Sequence, residues 1–170
     1  LDAKSTNGSM NVVGIIGETS AETNNGSVSI RDCEGKIILK TTNGRVDIEE
    51  VSGNVRAKTS NGRISARLAT LDGESGFETT NGSLDVRIKK GHAVPLAANT
   101  TNGSITVELP ANFAADVEAN TSNGRISSDL PITVAGEISK TSLHGELNGG
   151  GPLMKLKTTN GSINIRRQEG

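Results

Sequence analysis

Four residues, Thr41-Thr42-Asn43-Gly44, return almost unchanged along the chain, and that repetition limits the possible fold more than any other feature. The asparagines of the copies are Asn7, Asn25, Asn43, Asn61, Asn81, Asn102, Asn123 and Asn160, separated by 18, 18, 18, 20, 21, 21 and 37 residues. The long step is divided by a degenerate copy, Thr141-Ser142-Leu143-His144-Gly145, whose His144 lies 21 residues after Asn123. A fixed period near 20 residues marks a repeat architecture, in which each unit buries its apolar face only by stacking on its neighbours. The copies predict about nine rungs of 18–21 residues in a single domain over residues 1–170, since no break in the period offers a boundary.

Within each period, apolar and polar residues alternate. Val28 and Ile30, a bend at Asp32-Cys33-Glu34-Gly35, then Ile37 and Leu39 make one rung, which Val46, Ile48, Val51, Gly53, Val55 and Ala57 repeat. Period-two alternation on both sides of a bend predicts two short strands per rung, each with one buried face. The Asn-Gly pair reads as a sharp corner whose positive φ is supplied by glycine and asparagine. Gly17, Gly35, Gly53 and Gly91 read as the second corner, and Cys33, in the register of Val51, as a small buried filler. From Asn61 on the rungs lengthen, and Leu84, Val86, Ile88 and then Ile105, Val107, Leu109 give three inward positions each, so the stack should widen. Pro110 and Pro131 share a register that suggests a stacked corner, and Asn148-Gly149-Gly150-Gly151-Pro152 reads as a mobile loop.

Asn-Gly is also the strongest two-residue hairpin signal, so an antiparallel meander would satisfy the same period. An irregular second corner with an apolar residue turned inward suits a wrapped rung better. The preferred reading is therefore an all-β parallel β-solenoid, coiled right-handed as parallel crossovers usually are. In such a stack Asn would lie on Asn and Thr on Thr, so that side chains satisfy one another along the axis.

The Thr-Thr/Ser-Asn-Gly-Ser/Arg-Ile/Val units, the lone central glycine of each rung and the near absence of aromatic residues resemble the bacterial "adhesin" domains of unknown function called toastrack domains. The resemblance implies a right-handed β-helix-like domain on or near the cell envelope, often attached to membrane proteins, with surface or envelope-stress roles. It carries no catalytic residues with it.

Chemistry is sparse in this chain. Net charge is −1, with two Phe and no Tyr or Trp, which removes both a basic field and the stacking platforms on which single-stranded nucleic acid is held. One cysteine allows no intrachain disulfide and no cysteine metal cluster. His92 reads as a loop residue, and His144 as a substitute for the corner asparagine at positive φ; neither has the companion ligands that zinc requires. Outward positions run Arg45, Asp47, Glu49, then Arg63, Ser65, Arg67, then Asp85, Arg87, Lys89, a pattern of cross-strand charge pairing rather than a carboxylate cluster for glycan cleavage. The calcium-binding nonapeptide repeat is absent, and Gly149-Gly150-Gly151 is not followed by the Lys-Ser/Thr of a phosphate loop. No catalytic, cofactor or metal residues are therefore assigned. The residues singled out are the eight corner asparagines.

No apolar run is long enough to span a membrane, and the first residues carry no apolar signal region. The repeat starts almost at the first residue and ends almost at the last, so no cap is evident and the open ends could pair with other copies. These readings converge on a non-enzymatic structural or adhesive module of the cell surface or exterior, or of the periplasm, able to assemble end to end into filaments. The alternative is a ligand-sensing domain that binds an envelope peptide or polysaccharide on a flat side face. An ice-binding surface built on the rank Thr42, Ser60, Thr80, Thr101, Ser122 and Thr159 is a further one.

Overall fold

A computed structural model describes residues 1–90, 94–136 and 139–169. Gly91 and His92, assigned above to a corner and a loop, lie outside the described residues. Among the described residues seventeen strands occur in order: β1 (Asp2–Ser5), β2 (Met10–Val13), β3 (Thr19–Thr23), β4 (Val28–Arg31), β5 (Glu34–Thr41), β6 (Val46–Asn61), β7 (Ile64–Leu71), β8 (Ser75–Asn81) and β9 (Leu84–Ile88). They continue as β10 (Leu96–Asn99), β11 (Ile105–Leu109), β12 (Ala115–Asn123), β13 (Ile126–Ser128), β14 (Ile132–Val134), β15 (Ser142–Leu147), β16 (Leu153–Asn160) and β17 (Ile163–Arg167). Among the described residues there is no helix.

The strands form a parallel β-solenoid with two sheet faces. On the first face, β1, β3, β5, the second half of β6, β8 and β10 stack in register, so that Ser20, Ile38, Arg56, Gly76 and Ala97 make one outward column. On the second, β2, β4, the first half of β6, β7, β9 and β11 do the same. β6 belongs to both because it runs through the second corner, where Glu50 (φ 50°) and Gly53 (φ 119°) bend the chain. Alternation along each strand puts Val28, Ile30, Ile37, Leu39, Val46, Ile48 and their equivalents between the faces, and Cys33 fills the second corner at 2% exposure.

The stack is not in chain order. β16 pairs with β10 on one side and β12 on the other, and β17 lies between β11 and β13. The last rung of the chain is thus inserted ahead of the one that precedes it in sequence. Its core supplies the reason. The inward column Ala21, Leu39, Ala57, Phe77, Ala98, Leu156, Ala119 alternates small and large side chains, and Leu156 separates two alanines that would otherwise leave a void.

The ninth copy does not join the stack. Thr141–Gly145 enters β15, which runs antiparallel to β12 and carries β14 antiparallel on its other edge. His144 sits opposite Glu118 in that strand, not at a corner, and has no positive φ. This pair covers β12 at that end of the stack, leaving β14 as its outermost strand: Thr121 N–H donates to Thr141 O and Ile126 N–H to Lys140 O, so the chain crosses directly over the last corner. Pro110 and Pro131 do not stack, because Gln168 N–H donates to Leu109 O and the final strand lies between their rungs. The glycine run is a tight turn tied down by Asn148 Nδ2, which donates to Ala111 O and Phe113 O, and by Gly151 N–H, which donates to Asp116 Oδ1.

Candidate functional site

Three surfaces could carry function: the Asn-Gly corner, the second face and the first face. At the corner each asparagine amide donates from Nδ2 to Oδ1 of the asparagine below it, at 2.8–2.9 Å, in the order Asn25 to Asn7, Asn43 to Asn25, Asn61 to Asn43, Asn81 to Asn61, Asn102 to Asn81, Asn160 to Asn102 and Asn123 to Asn160. All eight are exposed, so the ladder runs along the outer corner rather than through a buried one. A second ladder lies just inside it. The hydroxyls of Thr23, Thr41, Thr59, Thr79, Thr100, Thr158 and Thr121 each donate to a glycine carbonyl of the adjacent rung, Gly8, Gly26, Gly44, Gly62, Gly82, Gly103 and Gly161 in turn, at 2.8–3.1 Å.

The corner glycines serve a different purpose from the one expected. None has a positive φ. A Cβ placed on Gly26, Gly44, Gly62, Gly82, Gly103, Gly124 or Gly161 would come within 1.8–2.2 Å of the neighbouring glycine carbonyl oxygen. Glycine is required there because backbone lies on backbone. Among the described residues positive φ is confined to the second corner, at Gly17, Gly35 and Gly53 with Asp32 and Glu50, and to Gly14, Gly136 and the 148–150 turn.

Along its middle the second face is zipped shut by its own charges. Glu49 bridges Arg31 at 2.6 Å and Arg67 at 3.5 Å, Arg63 holds Asp85, and Arg87 holds Glu108. One hollow, about 230 Å³ between Arg63 and Glu108, is floored by these paired groups, while another of about 510 Å³ adds Arg166 and Arg167, which make no ion pair among the described residues, to the Arg87–Glu108 pair. Burial in the same face pushes the Asp47 carboxyl above the ordinary aspartate range; Arg45 and Arg63 oppose the shift and Glu49 adds to it.

The first face is different. Arg56 and Lys58 of β6, with Lys40 beside them on β5, form one wall, and Lys155 and Lys157 of β16 form the other. Between them lie two strands, β8 and β10, whose outward residues include Gly76, Ala97 and Asn99. The result is a trough about 410 Å³ in volume over Gly76 and Ala97, meeting at Glu78 and Asn99 a second hollow of about 590 Å³ that runs out over Thr80 and Thr101. Lys58 is paired with Glu78 at 3.0 Å and Lys155 approaches Glu118 at 4.0 Å, whereas Lys40, Arg56 and Lys157 make no ion pair among the described residues. Sequence reasoning did not single this site out. A signal was present in Ser75-Gly76-Phe77, where glycine interrupts the middle of a strand at an outward position.

Among the described residues no group of three or more His, Cys, Asp or Glu is placed to hold a metal ion. Cys33 Sγ accepts from Ile15 N–H at 3.3 Å and donates to Arg31 O at 3.2 Å, a satisfied thiol inside the corner. The threonine rank proposed for ordered water is one residue wide, and Ser60 and Thr159 in it are half-buried.

Fold and surface together define a β-solenoid repeat module, stiffened by two side-chain ladders, with charges cross-paired along the middle of one face and a trough flanked by cations on the other. A family model described as Toastrack DUF4097 matches residues 1–96, and the chain belongs to that family. No curated protein and no solved structure matches it.

Proposed function

We propose that this domain is a non-enzymatic module of the cell surface or exterior that holds its two flat faces rigid and adheres through the first of them. The observation supporting this is the asymmetry of the faces. Along the middle of the second face the charges pair with one another, leaving Arg45, Arg166 and Arg167 without ion pairs among the described residues, while the first face gathers Lys40, Arg56 and Lys157, also without ion pairs there, around a floor that carries Gly76 and Ala97 beside Glu74 and Glu78. Exposed charges that serve only solubility gain little from such segregation. The test is co-sedimentation of the purified domain with cell-envelope material from its source. Arg56→Glu combined with Lys157→Glu is expected to abolish it, and Arg67→Glu combined with Arg166→Glu to leave it intact. No co-sedimentation, or equal loss in both variants, would sink the reading.

A second reading, self-association, draws on the β1–β2 edge. That edge has no strand partner on its outer side among the described residues, and Leu1, Val13 and Ile16 are exposed beside it. Because the outermost strand at the other end, β14, is three residues long and runs antiparallel to β15, it matches the β1–β2 edge poorly, and association would join two β1–β2 edges head to head in a closed dimer rather than a filament. Sedimentation velocity over rising concentration tests this: a monomer at every concentration removes it.

A further inference from the structure

Gly76 is the residue the fold does not explain. Every other described glycine has a positive φ or an atom within 3.3 Å of where its Cβ would sit, although at Gly8 and Gly73 that atom is only the end of a side chain that can turn away. Gly76 has neither; its φ is ordinary and a Cβ there would meet nothing within 4 Å. Glycine within a strand weakens it and marks a place where something else approaches the backbone closely. What approaches Gly76 does so from outside, because its neighbours across the face are Arg56 on one side and Ala97 on the other.

The surroundings restrict what that something is. Both strands of the floor are paired on both edges, so no backbone donors or acceptors are free and an extended peptide could not be held by strand addition. No aromatic side chain is exposed on the trough, so neither nucleobases nor neutral sugars find a stacking platform. What is offered is a pair of cationic walls, separated by three strand spacings or roughly 14 Å, with amide and hydroxyl groups of Asn99, Thr80 and Thr101 between them; of the two carboxylates that also line the trough, Glu78 is held by Lys58 and Glu74 lies at its edge. Arg56 presents a fork suited to a carboxylate, and Lys157 a point charge.

We propose that the trough over Gly76 and Ala97 binds a linear anionic glycan, with its carboxylates on the Arg56 and Lys157 walls and its hydroxyls on Asn99 and Thr101. This rests on the adhesive reading of the first face and names the chemistry that face takes. Because the affinity comes from charge pairs at an open surface, it falls as salt rises.

The experiment is isothermal titration calorimetry of the intact chain with oligogalacturonate, with maltooligosaccharide as the neutral control and oligodeoxythymidylate as the competing polyanion. The expected result is salt-sensitive binding of oligogalacturonate, none of the neutral sugar, and weaker binding of the nucleotide. Gly76→Val should lower affinity about tenfold or more with no fall in melting temperature, since it fills the floor without touching the fold, and Arg166→Glu on the other face should change nothing. Binding unaffected by Gly76→Val, equal binding of the neutral sugar, tighter binding of the nucleotide, or no binding of oligogalacturonate would each overturn the proposal. If envelope co-sedimentation still depends on Arg56 and Lys157 in any of those cases, the ligand class is wrong and the adhesive reading stands; if that dependence is also missing, both fall.

Discussion

At the scale of single residues, glycine does three distinct jobs in this chain that the sequence alone does not separate. Gly53 bends the second corner at φ 119°. Gly82 lets one rung lie on the next, and Gly76 leaves a strand bare. The difference predicts opposite outcomes for the same substitution. In Gly82→Ala the new Cβ would stand 1.9 Å from Gly62 O, and since both partners are backbone no side chain can swing aside. Two rungs must separate, weakening the Thr79 hydrogen bond to Gly62 O as well, and the expected loss is about 1–3 kcal/mol, as for other overpacked sites. Gly76→Ala should instead hold or raise stability by up to about 1 kcal/mol, from the reduced flexibility of the strand. Urea midpoints of the two variants decide it, and equal losses would show that close backbone approach is not what selects glycine at the corner. The corner motif was legible in the sequence as a motif, but its cause was not. A positive φ and a backbone contact both exclude a side chain, and only the backbone conformation in the fold distinguishes them.

Among the elements, β16 shows how a repeat protein specifies neighbours when its strands share one motif. Thr158 and Asn160 make the same ladder contacts as every other rung, so hydrogen bonding alone would accept β16 at several levels of the stack. Volume does not. Leu156 fits between Ala98 and Ala119, continuing the alternation set by Leu39 beside Ala57 and Phe77 beside Ala98. Leu156→Ala would put three alanines in succession in a column that is almost wholly buried, opening a cavity that the flanking ladders hold from collapsing. The expected cost is about 2–5 kcal/mol, with amide protection lost first in β12 and β16. A loss below about 1 kcal/mol would mean that the column relaxes and that packing does not set the order of rungs. The in-and-out alternation of each strand was readable from residue pattern alone. The small-and-large alternation across strands was readable only in hindsight, because Ala98 and Ala119, one period apart, were the sign that something belongs between them.

For the molecule as a whole, the order of rungs is what the period misrepresented. Equal spacing invites the assumption that consecutive copies are neighbours, and up to Asn102 they are, as the asparagine ladder records. Beyond it the chain skips one level, lays down β12 and β13, caps them with β15 and β14, and returns to fill the gap with β16 and β17. Stack and cap are thereby locked together, since the last strands cannot leave without removing support from β12. The arrangement can be tested by crosslinking at the corner. Asn102 bridges Asn160 directly, and paired residues in adjacent strands lie roughly 4.8 Å apart, inside the span a disulfide closes without strain, whereas Asn123 is two levels from Asn102, at roughly 9.6 Å. Asn102→Cys with Asn160→Cys should therefore oxidise to an intramolecular disulfide under mild conditions, and Asn102→Cys with Asn123→Cys should not. Each variant gives up two ladder asparagines, so the loss of stability is matched, and Cys33 at 2% exposure is shielded from exchange. Peptide mapping by mass spectrometry reads the outcome. A 102–160 bridge places the end of the chain inside the stack; a 102–123 bridge would mean that the rungs follow one another in sequence and that the two adjacent alanines find some other way to fill the core.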